Sequence, residues 1–377
     1  MNFELTDEQE LIRRTVRDFA ESRVAPVAEE LDRESRFPYE LIAELAELGL
    51  MGLPIPEEYG GAGGDTVSYA IAIEELTRID SSVAITVAAH TSLGTMPIYL
   101  FGTEEQKQEW LPKLASGQGL GAFGLTEPDA GSDAGATRTK AELRDGEWVV
   151  DGSKIFITNA GTDISACVTI TAVTGDGEIS NIIVPNGTAG YEISAPMKKL
   201  GWHASDTREL SFRDCHVPEG NLLGTRGKGF SQFMKILDGG RISVASMGVG
   251  LAQGAYDLAL AYAKERRQFG KAIAEFQAIQ FQLADMATDI DAGRQLVYKA
   301  AWLKDQGRDF ALAAAQAKLY TGLLSNRAVN AALQIHGGYG FMEEFAIARL
   351  YRDQKILEIG EGTNEVQRMV IAKYLGL

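Results

Sequence analysis

Glu147-Trp-Val-Val150, Ile155-Phe-Ile-Thr158, Ala166-Cys-Val-Thr-Ile-Thr-Ala172 and Ile182-Ile-Val184 are the runs that decide how this chain folds. Each is β-branched or aromatic, and Asp145-Gly146, Asp151-Gly152 and Gly175-Asp-Gly177 punctuate them. Short strands joined by tight turns, with no helix between them, predict an antiparallel barrel or sandwich and not a βαβ sheet. This zone covers residues 119–226. On its N-terminal side, residues 1–118 read as helix. Leu41, Leu45 and Leu48 recur at helical spacing, Ile71 to Leu76 falls in another helical stretch, and Pro54-Ile-Pro56 and Tyr59-Gly-Gly-Ala-Gly-Gly64 force loops. Thr6-Asp-Glu-Gln9 ahead of Leu11 and Ile12 reads as a capping box. On the other side, residues 227–377 return to helix. Phe276, Ile279, Leu283, Met286 and Ile290 step by three or four, and Ile242 to Ala263 is apolar nearly all round, as in a buried bundle helix. Further helices are expected near Phe310 to Gln334 and after Gly362. The expected fold is α+β in three domains: an N-terminal all-α domain, a central antiparallel β-barrel or sandwich, and a C-terminal four-helix bundle.

Composition narrows the function. The 377 residues suffice for two or three units of about 150 residues each. Hydrophobic residues at 45% and charged residues at 23% are ordinary for a globular chain. The net charge of −16 argues against nucleic acid and anionic membrane surfaces as partners, though a few local cations could still hold one phosphate-bearing ligand. Cys167 and Cys215 cannot build a disulfide framework, and His90, His203, His216 and His336 show no metal-ligand spacing. No apolar run approaches 18 residues. The opening Met1-Asn-Phe-Glu-Leu lacks the basic, then apolar pattern of a signal, so a cytoplasmic location is expected.

Common fingerprints are missing. Gly248-Val-Gly250-Leu-Ala-Gln-Gly254 lies within a helical pattern and reads as close helix packing, not as a dinucleotide loop. Four other stretches carry more than scaffold needs. Phe123-Gly-Leu-Thr-Glu-Pro-Asp-Ala-Gly-Ser-Asp133 is either a capped loop or a surface of N–H and hydroxyl groups for a polar ligand. Glu265-Arg-Arg-Gln-Phe-Gly270 either complements a helix dipole or clamps a pyrophosphate. Gln334-Ile-His-Gly-Gly-Tyr-Gly340 has three glycines where a helix stop needs one. In the run from Tyr351 to Arg368, Glu361 stands between Gly360 and Gly362. It either caps or charges the start of the last helix, or is a general base made basic by an apolar setting.

These stretches occur in the order found in the acyl-CoA dehydrogenases, which the chain resembles over nearly its whole length. The likeness runs from Leu5-Thr-Asp-Glu-Gln9 through Pro56-Glu-Glu-Tyr-Gly-Gly61 and Glu104-Glu-Gln-Lys107 to the C-terminus. It implies an α–β–α fold, an FAD cofactor and an acyl-CoA thioester substrate. It also implies an electron-transfer flavoprotein as partner and a homotetramer, a dimer of dimers. By the same resemblance Glu361 is the base that removes the α-proton. Phe123, Leu125, Thr126, Gly131 and Ser132 match a flavin-contacting loop, Ser132 also lying near CoA. Phe156, Ile157 and Thr158 match the segment packed on the isoalloxazine, with Phe156 where Trp is more usual. Arg266, Phe269, Gln277, Gln334, Gly337 and Gly338 match residues that reach a neighbouring subunit's FAD, and Thr363 and Glu365 match further flavin contacts. Asp238, Arg241 and Gly362 match substrate contacts.

The family's chemistry removes a proton from Cα and passes a hydride from Cβ to flavin N5. A ribityl hydroxyl and the N–H of the base residue steady the thioester oxygen. Gly360 stands where straight-chain members often carry Tyr, which implies room for branched short chains, and the setting would be fatty acid β-oxidation. Gly240 is where some relatives carry their base instead, so the role falls to Glu361. A flavin oxidase or monooxygenase that passes electrons to O₂, and a non-catalytic flavin- or CoA-binding subunit, are the rival readings.

Overall fold

The computed structural model describes residues 4–377; Met1, Asn2 and Phe3, the start of the opening segment, lie outside the described residues. Among the described residues seven α-helices precede the sheet: α1 (Asp7–Phe19), α2 (Ala28–Glu34), α3 (Tyr39–Glu47), α4 (Thr66–Ile79), α5 (Ser81–Ala89), α6 (Met96–Phe101) and α7 (Glu104–Ala115). The capping box forms at α1, where Thr6 Oγ1 accepts from Gln9 N and Gln9 Oε1 accepts from Thr6 N. α3 stops one residue short of Leu48, which is 44% exposed. α5 and α6 join through a π-helical turn at His90–Thr95. The resulting run, Ser81–Phe101, is long and apolar enough to cross a membrane, but 83% of it is buried inside the protein.

The middle zone is one eight-stranded sheet. Its strands are β1 (Leu120–Gly124), β2 (Lys140–Arg144), β3 (Glu147–Thr158), β4 (Ser165–Gly175), β5 (Glu178–Pro185), β6 (Tyr191–Ile193), β7 (Thr207–Pro218) and β8 (Leu222–Leu223). The path is β6-β7-β3-β2-β4-β5-β8, with β1 branching from β4. Hairpin neighbours pair antiparallel across the turns at Gly146 and Gly177, whereas Asp151-Gly152 makes no turn and lies at a register shift inside the continuous β3. β1 differs: it enters from the helical domain and lies parallel to β4, from Leu120 beside Ser165 to Gly124 beside Ile170. A second parallel contact joins Lys140 to Val173. No hairpin signal precedes β1, so its direction was set by where α7 delivers the chain. Trp148, Phe212, Val150, Ile170 and Leu210 form the sheet's own core. Cys167 and Cys215 are buried free thiols there.

The C-terminal zone holds α8 (Gly229–Glu265), a two-stranded hairpin of β9 (Arg267–Gln268) and β10 (Lys271–Ala272), α9 (Gln277–Asp305), α10 (Ala311–His336), α11 (Ala346–Asp353) and α12 (Asn364–Tyr374). α8 is the axle of the molecule. The Gly248–Gly254 pattern proves to be packing: a β-carbon at Gly250 would lie 2.3 Å from Glu74 O, and one at Gly254 2.1 Å from Arg78 O. α4 therefore rests on the α8 backbone, and one apolar core runs through both helical zones.

β1 is pinned at the junction of these layers. Gly121 N donates to His90 Nδ1 at 3.0 Å, and His90 Nε2 bonds Leu114 O at 3.0 Å. Burial lowers the His90 pKa to about 4, so the ring is neutral and serves both ends. A β-carbon at Gly94 would lie 2.3 Å from Gly121 O, which lets the strand cross the π turn.

Candidate active site

α12 begins at Asn364, and Thr363 caps it by accepting from Val366 N at 3.3 Å. Glu361 therefore is not the cap. It stands two residues earlier in a left-handed conformation, φ +51, that non-glycine residues seldom adopt. Its Oε2 is buried and has no hydrogen-bond partner among the described residues. Burial raises its pKa to about 7, against the pull of Arg241 and Lys318. Its own stretch supplies only part of the apolar setting, since Leu357 is buried but Ile359 is 50% exposed. The rest comes from α8 and α4. A β-carbon at Gly240 would lie 2.0 Å from Oε2, so the absent side chain is the space the carboxyl occupies. Tyr69 of α4 is electrostatically coupled to the same carboxyl and donates to Ala88 O at 3.1 Å.

Arg241 lies at the floor of this site, 1% exposed, with Nη1 on Asp238 Oδ1 at 2.5 Å and Nε without a partner. Lys318 of α10, equally buried, donates to Gly362 O at 2.8 Å. Asp238 is half-buried and faces outward from Arg241 along the same helix turn.

The loop after β1 lies on the sheet side. Phe123 packs on Phe233 and Ile236 at the start of α8, with Leu125 beside them. Thr126 O accepts from Ile155 N at 2.8 Å, tying the loop to β3. Behind it Lys154, fully buried, donates to Glu127 Oε1 at 2.7 Å, Thr171 Oγ1 at 3.0 Å and Leu125 O at 3.2 Å. Two residues on, pairing with β7 slips between Lys154 and Ile157. That bulge turns Phe156 to φ +62 and leaves its ring 62% exposed, while Ile157 is buried and Thr158 half-buried. An exposed aromatic at a strained bulge is a ready stacking surface for a planar ring. Gly131 and Ser132 are exposed on the same loop.

Arg266, Phe269, Gln277, Gln334, Gly337 and Gly338 form a separate group. Gln334 to Gly338 end α10, about 24 Å along its axis from Lys318. Arg266 lies over the Tyr339 ring at 5.4 Å, Phe269 is 92% exposed at φ +53, and Gln277 is exposed. Gly337, at φ +60, stops the helix, and Gly340 admits Leu333 O. A β-carbon at Gly338 would meet nothing within 4 Å. Glu365 is exposed on the first turn of α12.

Sequence reading missed Tyr69, Lys318, Gln367 and Lys154. Lys318 and Lys154 did leave a signal, each being a lone cation in an otherwise apolar or β-branched run. A cavity of about 720 Å³ lies elsewhere, between α1, α4, α8 and α9. Its charges are matched internally, Arg17 with Glu75 at 2.7 Å and Arg294 with Glu74 at 2.8 Å.

The chain is similar to known proteins over its whole length. Residues 6–118, 122–215 and 227–376 match the N-terminal, middle and C-terminal domains of acyl-CoA dehydrogenase. The chain is 55% identical to the probable acyl-CoA dehydrogenase YngJ of Bacillus subtilis, each covered over 100% of its length. The butyryl-CoA dehydrogenase structure from Megasphaera elsdenii superposes with a TM-score of 0.97 at 45% identity, covering 100% of both chains. A chain in a structure of the electron transferring flavoprotein of Acidaminococcus fermentans gives 0.97 and 45%, covering 100% of this chain and 99% of that one. This chain belongs to the acyl-CoA dehydrogenase family, oxidoreductases that act on CH–CH groups.

Proposed function

We propose that the protein oxidises a short or short-branched acyl-CoA to the 2-enoyl-CoA, with Glu361 as the base. The observation that carries this is a carboxyl with a buried, unpartnered Oε2, its pKa near 7, held in the slot beside Gly240. A carboxylate in that state is basic enough to take an α-proton, and it has no competing hydrogen bond to break. The Glu361 N–H donates to the thioester oxygen, where charge builds as the proton leaves. Asp238, half-buried and braced by the buried Arg241, faces the CoA end of the substrate.

The residues on the sheet side fit FAD. Phe156 and Thr158 offer an exposed ring and a hydroxyl from a strained bulge, and the Phe123–Ser132 loop adds exposed backbone and hydroxyl groups. Bound FAD supplies the acceptor for the hydride that leaves Cβ. The group at the end of α10 contacts the FAD of a second copy, in a homotetramer; Gly338, with open space where a β-carbon would stand, and Phe269, largely exposed beside an edge contact to Phe276, support this. Reduced enzyme is reoxidised by an electron-transfer flavoprotein.

A β-carbon at Gly360 would approach only Ile356, at 3.3 Å and beyond, so nothing bulky precedes the base. This supports acceptance of a branch near Cα. The test is an anaerobic titration of purified yellow protein with butyryl-, isobutyryl-, 2-methylbutyryl- and isovaleryl-CoA. Flavin bleaching by butyryl-CoA and at least one branched thioester is expected; bleaching by butyryl-CoA alone removes the branched-chain reading, and none by any of them removes the function.

A further inference from the structure

One stripe of α10 seats the segment that carries Glu361. Lys318, Gly322 and Asn326 recur every four residues and share a face. Lys318 Nζ donates to Gly362 O at 2.8 Å. A β-carbon at Gly322 would lie 3.1 Å from Leu357 O and 3.4 Å from Asn364 Oδ1. Asn326 Nδ2 donates to Glu358 Oε1 at 2.8 Å. From the other side Gln367, fully buried on α12, donates to Gly362 O at 2.8 Å and Glu361 O at 3.3 Å.

We infer that Lys318 is a positioning residue for the reaction: with Gln367 it clamps the Glu361–Gly362 turn and holds the carboxylate in the slot beside Gly240. This rests on the reading of Glu361 as base. A left-handed glutamate persists only where its surroundings over-determine it, and both carbonyls of the turn are held by buried donors. A neutral donor would serve a carbonyl equally well, so the use of an ammonium here needs a further reason. That reason is the carboxyl, which has no hydrogen bond of its own and feels the Lys318 charge. The charged groups around the clamp are Glu361, Glu358 and Glu365 on the side that attracts Lys318, and Arg241 on the side that repels it. Arg241 pulls on the same carboxyl more strongly than Lys318 does, but it is also paired with Asp238 at 2.5 Å, whereas Lys318 bonds the Gly362 carbonyl and so ties its charge to the turn itself.

The test uses the holoenzyme with butyryl-CoA and three substitutions. Lys318→Met removes charge and donor at similar length. It should lower kcat about tenfold or more while KM stays within about threefold. The acid limb of kcat/KM should move up by about one unit, because loss of a nearby cation makes the carboxylate harder to form. Gln367→Met removes donors but no charge, so kcat should fall with the acid limb in place. Infrared titration of the Glu361 carboxyl band, identified with Glu361→Gln, should show the Lys318→Met shift without turnover. A Lys318→Met enzyme with parental kcat and acid limb overturns the clamp. If that variant does not fold, a Gln367→Met enzyme with parental kcat overturns it instead. Glu361→Gln separates the two readings: parental activity there sinks the assignment of the base, whereas its loss beside an unaffected Lys318→Met sinks only the clamp.

Discussion

A β-carbon on Gly240 would stand 2.0 Å from Glu361 Oε2, so the two positions, 121 residues apart in sequence, compete for one volume. The contacted atom is the far end of a flexible side chain, which can swing aside without moving backbone. Gly240→Ala is therefore expected to fold with little change in melting temperature and to misplace the carboxylate. A displacement of that size costs about 10²-fold in rate. Steady-state kinetics beside a thermal melt checks both halves. A large drop in melting temperature would mean that the glycine serves helix packing instead.

The same burial makes Glu361 a liability for stability. Its pKa rises from 4.5 unfolded to about 7 folded. The folded state thus holds a proton that the unfolded state has released, and stability falls as pH rises from about 4.5 through 7. Glu361→Gln removes that penalty. The variant should be more stable than the parent at pH 8, by about 1–3 kcal/mol, and equal to it near pH 4. Denaturant midpoints at the two pH values measure this. An unchanged difference across the range would place the carboxyl in solvent.

Much of the fold was legible because its signals are local. Turn glycines at Gly146 and Gly177 and the helical steps from Phe276 to Ile290 are read within a few residues. The direction of β1 was not, since it depends on where α7 ends. The site divides the same way. Glu361, Phe156 and Phe269 could be pointed to by resemblance, yet no property of those residues announces a positive φ, which all three share. Tyr69 and Lys318 lie on helices 249 residues apart and meet the carboxyl only through tertiary packing.

Phe156 separates stability from cofactor binding. Its ring is 62% exposed and its backbone is left-handed, so it contributes little to the core and stores strain. Phe156→Gly relieves strain of about 1 kcal/mol and should leave the apoprotein as stable as the parent or slightly more so. Flavin retention on gel filtration should fall, because the stacking surface is gone. A variant that keeps its flavin and loses stability would make Phe156 a structural residue.

Lys154 and Glu127 form the opposite case, a buried pair whose single loss is severe. Burial lowers the Lys154 pKa to about 8 in spite of its partner. Glu127 is also desolvated, but Lys154, Thr137 and the Arg138 N–H outweigh this and bring it to about 2. The two directions oppose each other in stability: the carboxylate gains from the pair while the ammonium bears the cost of burial. The intact pair is therefore worth little in total, and removing one member strands the other, at about 3–5 kcal/mol. Lys154→Met should show that loss at pH 7, whereas Lys154→Met with Glu127→Gln should cost less than the sum of the single changes. For Glu127 the contribution is present above about 4.5 and fades as pH falls towards 2, so the Lys154→Met deficit should shrink in acid. Because Lys154 also holds Leu125 O, Lys154→Met should release flavin faster than the parent. Denaturant midpoints in a double-mutant cycle, with flavin fluorescence to follow release, decide it; additive losses would mean that the two charges do not act as one unit.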